Sequence, residues 1–153
     1  MNKSVGRPRS QQADDAIIEA AVRMFYREPY LEVSMEAIAQ QAGVSKATLY
    51  RRWPNKPTLA VEVLVRVALQ ESRAFGEVSY RDHLLHNLKA LRDMLQSRYA
   101  DVIVSLIAES QHDHSLRALF FEQFLQPVQA IGDADLNEAI RRGEITAQVD
   151  KDL

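Results

Sequence analysis

The run Ser45-Lys46-Ala47-Thr48-Leu49-Tyr50-Arg51-Arg52 concentrates the side chains that grip phosphates and base edges. Lys46 and Tyr50 have the reach and the donors for phosphate oxygens, and Lys56 adds another a few residues on. Thr48 is short enough to approach a base edge or a thymine methyl. Arg51 and Arg52 suit either guanine or the backbone, and the sequence leaves both open. Ser34 and Ser45 each precede an apolar-periodic run, the position of an N-cap, where free N–H groups and the helix dipole favour an anion. Arg7 and Arg9 sit in Gly6-Arg7-Pro8-Arg9, an arm that suits a narrow minor groove.

These residues need a scaffold, and the apolar spacing supplies one. Ile18, Val22 and Phe25, with Ile17 and Ala21 beside them, form one helical face over residues 13–27. Asp14 and Asp15 are placed in its first turn, where the dipole favours acids. Pro29 stops it. A second, short helix follows Ser34 and ends at Ala42-Gly43, where glycine takes positive φ. A third runs from Lys46 to about Arg52, and Pro54 ends it. Two short helices meeting at Ala42-Gly43-Val44-Ser45 form the helix-turn-helix pattern. The third helix has only Ala47 and Leu49 as its apolar side, so most of its circumference is free for a groove.

Composition supports an all-α chain. Apolar residues make up 46% and charged residues 26%, with only five Gly and five Pro, too few for the turns of an all-β protein. There is no cysteine, so disulfides and thiolate metal sites are excluded. No signal peptide or membrane span is read, which points to a soluble, cytoplasmic protein. The net charge is −2, but it is unevenly spread. Residues 1–57 carry nine bases and six acids, whereas residues 58–153 carry ten and fifteen. A basic front and an acidic back suit a DNA-contacting head on a body that avoids phosphate.

Three units follow: a flexible basic arm (1–11), a helix-turn-helix domain (12–56) and a helical regulatory domain (57–153). Further helices are predicted at 57–75, 80–97, 99–112, 114–131 and 133–142. In this body His83, Leu84, Leu88, Met94, Ile103, Leu106, Ile107, Phe120 and Phe124 are candidates for lining an apolar ligand pocket. His83 and His86, three apart, could also bind a metal with nearby acids, but the lining reading is preferred. His112 and His114 flank Asp113 in what reads as a solvated turn; a metal site needs three or four ligands. No metal or cofactor is therefore expected. With no phosphate loop, nucleophile elbow or paired acidic motif, no enzyme is read either. The competing reading is a helical adaptor for a protein partner, which accounts for the back half but not for the basic, capped helix 45–52.

The stretch VSMEAIAQQAGVSKATLYRRWPNKPTLA resembles the DNA-binding segment of TetR/AcrR-family bacterial repressors, over residues 12–65. The resemblance implies a three-helix DNA-binding head and a helical C-terminal body for ligand binding and dimerisation. It also implies a homodimer on a palindromic double-stranded operator, released by a small-molecule effector. By position, Ser34, Ser45, Lys46, Ala47, Thr48, Tyr50, Arg51 and Lys56 match the family's usual DNA-contacting positions. Three features depart from the pattern, one being that Gln126 to Leu136 is short for the family's full connection between helices seven and eight. Pro29 stands where the family often has glycine, so the loop to the second helix turns differently. Family members usually run on past an RGEI-like stretch, here Arg142 to Ile145, into further helices that pair the subunits, so the pairing surface is expected to be incomplete within these residues.

Overall fold

Helix α1 (Arg9–Arg27) buries Ile17, Ile18, Ala21 and Phe25 of the stripe that the apolar spacing defines; Val22 is half-buried, and Met24, outside that stripe, is buried as well. The computed structural model describes residues 9–71 and 78–146, and no strand occurs among them. Because α1 begins at Arg9, the boundary placed after Gln11 falls inside the helix. Asp14 and Asp15 accordingly lie in its second turn rather than its first. They serve tertiary contacts instead: Asp14 pairs with Arg52 at 3.2 Å and Asp15 with Arg66 at 3.6 Å.

The turn after α1 closes when the Glu32 N–H donates to the Pro29 carbonyl. Its Tyr30 and Val33 are buried, with Tyr30 tilted against Phe25 at 5.6 Å. Helices α2 (Met35–Gln41) and α3 (Lys46–Arg52) follow. Ser34 and Ser45 cap them, each Oγ accepting a backbone N–H three residues on at 3.1 Å. Between them Gly43 adopts φ +67°, its N–H bonds the Gln40 carbonyl, and the Val44 N–H reaches back to Ala39. This pair of bonds closes the end of α2 and needs a left-handed residue, which glycine adopts without a Cβ penalty.

Helix α4 (Lys56–Glu71) is capped by Asn55, whose Oδ1 accepts the Thr58 N–H at 2.9 Å. It buries Leu59, Ala60, Val61, Val63 and Leu64, on more than one face, because α1 packs on one side and the body on the other. The body comprises α5 (Tyr80–Gln96), α6 (Tyr99–Ser110), α7 (His114–Phe120), a π-helical turn (Phe121–Leu125) and α8 (Gln126–Arg141). One hydrophobic core runs through both parts, from Ile17 and Ile38 to Leu106, Phe120 and Phe124.

The break predicted between residues 131 and 133 is absent. The chain stays helical from His114 to Arg141, and the irregularity lies earlier, at the π turn. Pro127 explains the shift: a proline inside a helix loses a ladder bond and clashes with the carbonyl four residues back. The widened turn just before it absorbs that misfit and leaves Pro127 in the first turn of α8. Gly132 is carried within the helix, at a modest propensity cost. The real stop is Gly143 at φ +73°, with the Glu144 N–H returning to the Ala139 carbonyl. No described helix is long and apolar enough to cross a membrane.

Candidate nucleic-acid interface

Leu49 is the one fully buried side chain of α3, so a single anchor holds the helix against the head. Burial of one leucine contributes about 1.5–3 kcal/mol. Of the rest of α3, Lys46, Ala47, Tyr50 and Arg51 are exposed, and Thr48 is half-buried. At the C-terminal end Trp53 is buried, and its indole N–H donates to Glu62 of α4 at 2.7 Å, tying the end of α3 to α4. The two arginines left open by the sequence differ here. Arg52 is tied to Asp14 of α1, whereas Arg51 is exposed and makes no ion pair among the described residues.

At the front of α3 the Ser45 and Thr48 hydroxyls lie 2.9 Å apart, so Thr48 shares in the cap. Ser34 and Ser45, at the starts of α2 and α3, are both exposed. Glu36, which the sequence reading passed over, sits between the helices. Its carboxylate accepts from the Tyr50 hydroxyl at 3.1 Å and lies 3.7 Å from the Lys46 ammonium. A backbone N–H, then the Tyr50 hydroxyl and Lys46, hold the Glu36 carboxyl below its usual range. Reciprocally, the Glu36 contact pushes the Tyr50 phenol up. Two of the expected phosphate contacts are thus held by an internal acid.

Lys56 is placed differently from the rest. Its ammonium points inward and donates to the carbonyls of Tyr30 at 2.8 Å and Val33 at 3.0 Å, 4.3 Å from the Tyr30 ring centre. Burial lowers its pKa, partly offset by the Glu109 carboxylate. Burial likewise pushes the Tyr30 phenol up, with Glu109 adding to it. Arg7 lies outside the described residues, and Arg9 opens α1.

The nine pocket candidates differ in burial. His83, Leu106, Phe120 and Phe124 are buried, Met94 and Ile103 are half-buried, and Leu84, Leu88 and Ile107 are exposed. Phe120 and Phe124 stack on each other at 5.3 Å as core. His83 joins α5 to α8 through Asp135 at 2.8 Å, with Asn87 alongside. The two concavities described lie elsewhere. One, of about 150 Å³, is lined by Ile18, Glu19, Val22, Arg23 and Arg66. The other, of about 270 Å³, lies under Trp53 and includes Glu62, Leu119 and Gln123.

A capped helix-turn-helix packed through a shared α4 onto a body that is helical among the described residues is the architecture of a DNA-binding regulator. Comparison with known proteins gives the family. Residues 17–63 match the model of bacterial regulatory proteins of the tetR family, and residues 76–153 match a tetracyclin repressor-like C-terminal domain. The DNA-binding transcriptional repressor TetR of Mycobacteroides abscessus is 30% identical over 146 residues, 95% of this chain and 77% of that protein. The helix-turn-helix-type regulator YdeS of Bacillus subtilis is 29% identical over 98% of this chain and 76% of its own length. Among solved structures, the TetR family transcription regulator SCO0332 superposes with a TM-score of 0.80 at 26% identity, covering 91% of this chain and 77% of that one. MexZ of Pseudomonas aeruginosa, a repressor tied to antibiotic resistance, matches at 0.54 and 25%, covering 92% and 73%. The chain belongs to the TetR family and is a DNA-binding transcriptional regulator.

Proposed function

We propose that this regulator is a repressor that binds a palindromic operator as a homodimer and leaves it when a small-molecule effector occupies the helical body. The observation that carries the reading is α3: anchored by Leu49 alone, it presents Lys46, Ala47, Tyr50 and Arg51 to solvent. That is the exposure a helix lying in a major groove needs. Ser34 and Ser45 supply the flanking helix starts, Thr48 the short side chain near the bases, and Arg7 with Arg9 at the start of α1 further cationic groups for the DNA. Repression is supported by relatives named as repressors. The effector would act on the shared core, since α4 packs against both head and body. Such a protein works in the cytoplasm, where bacterial DNA is.

Selection of bound sequences from a random DNA pool tests the reading. Enrichment of a two-fold symmetric site, with affinity falling steeply as salt rises, is the expected outcome. Recovery of no consistent sequence would sink it and favour a helical adaptor for a protein partner.

A further inference from the structure

We infer that Lys56 and Asp101 serve DNA binding as positioning residues, clamping the loop between α1 and α2 from opposite sides, and that Lys56 does not contact a phosphate. The inference rests on the DNA-binding reading above and deepens it.

The Lys56 ammonium has three N–H donors. Two are given to the carbonyls of Tyr30 and Val33, and the charge sits against the face of the Tyr30 ring. Reaching a phosphate would break both bonds and strand two carbonyls in a partly buried site, which is costly. Val33 immediately precedes Ser34, the cap of α2. Fixing the Val33 carbonyl therefore fixes where α2 begins, and through the glycine turn where α3 lies.

The second side of the clamp belongs to the regulatory body. Asp101, in the first turn of α6, accepts the Tyr30 backbone N–H through Oδ2 at 2.7 Å. Two residues earlier Tyr99, buried, donates its hydroxyl to the Val22 carbonyl of α1 at 3.1 Å. One turn of α6 thus holds both α1 and the loop that follows it. Tyr30 is gripped at its N–H by α6 and at its carbonyl by α4, so its position in the head depends on a helix of the body and on the helix shared by both parts.

The test uses the full chain, the site recovered from the random pool, and affinity measured across a salt series. Folded fraction is checked by thermal unfolding. Lys56→Met keeps the side-chain length but donates nothing. Its affinity should fall by roughly twofold to thirtyfold, the range for residues that act remotely on a ligand site, with the salt slope unchanged. Lys46→Ala, on the exposed face, should lower that slope by about one. A matching drop in slope for Lys56→Met would overturn the inference. Asp101 supplies an independent arm should Lys56→Met fold poorly. Asp101→Ala removes an acid, so simple electrostatics predicts tighter DNA binding, whereas loss of the clamp predicts weaker binding. Asp101→Asn removes the same charge but keeps an acceptor, and should restore most of the affinity. Tighter binding by Asp101→Ala, or an Asn variant no better than Ala, would overturn the clamp. A wild-type chain that selects no DNA would overturn the DNA-binding reading itself, and this inference with it.

Discussion

Glu36 sets the terms on which α3 meets DNA. The Tyr50 hydroxyl and the Lys46 ammonium both rest on its carboxylate in the free protein. With α3 in a groove as proposed, each would exchange this carboxylate for a phosphate, and the carboxylate would stay near the DNA as a like charge. A backbone N–H, the Tyr50 hydroxyl and Lys46 hold the Glu36 carboxyl below the usual range, so substitution rather than titration is the way to remove the charge. Glu36→Gln is expected to raise affinity for DNA of any sequence by a few-fold, and so to erode the ratio between operator and random DNA. The measurement is a pair of titrations, one on the selected site and one on a scrambled duplex. A loss of affinity on both would mean that Glu36 orients Lys46 and Tyr50 for DNA rather than competing with it. The contact was hidden at the sequence level because Glu36 and Tyr50 are fourteen positions apart and meet only once α2 and α3 have folded against each other.

At the scale of the elements, α3 is a seven-residue helix with one buried side chain and one capping serine. An isolated helix of that length is unstable in water, so its conformation is imposed by the turn before it and by Leu49. Leu49→Ala should therefore destabilise the protein by about 2–5 kcal/mol, read as a lower denaturant midpoint at unchanged slope. DNA affinity should fall further than stability alone accounts for, because the recognition helix loses its only deep anchor. Unchanged affinity of the folded fraction would show that the glycine turn and Trp53 suffice to hold it. The elements divide by the range of the interactions that define them. The caps at Ser34 and Ser45 and the turn at Gly43 were readable because each closes within a few residues. The inward turn of Lys56 and the Asp101 contact were not, since they span 26 and 71 positions. The predicted stop at residues 131–133 failed for a related reason: Gly132 permits a break but does not require one, while Pro127 forces the distortion upstream.

At the scale of the molecule, the uneven charge gains a geometric meaning. The basic excess falls in residues 1–57, which carry the helix-turn-helix, and the acidic excess in the helices behind it. Acids of α6 reach the loop under the head at Tyr30, Asp101 by accepting its backbone N–H and Glu109 by acting on the Tyr30 phenol and on Lys56. With the head tied to its body at this loop, the distance between two heads in the proposed homodimer is expected to be set by the bodies rather than by the DNA. The recovered site should then show two half-sites with centres about one helical turn, ~34 Å, apart. Inserting half a turn between them puts the second half-site on the opposite face of the duplex. Affinity should then drop to that of a single half-site, and inserting a full turn should restore it only if the bodies yield. Titrating wild-type protein on the three duplexes distinguishes the cases. Equal affinity for all three would show that each head binds alone, and would remove the homodimer from the account while leaving the helix-turn-helix in place.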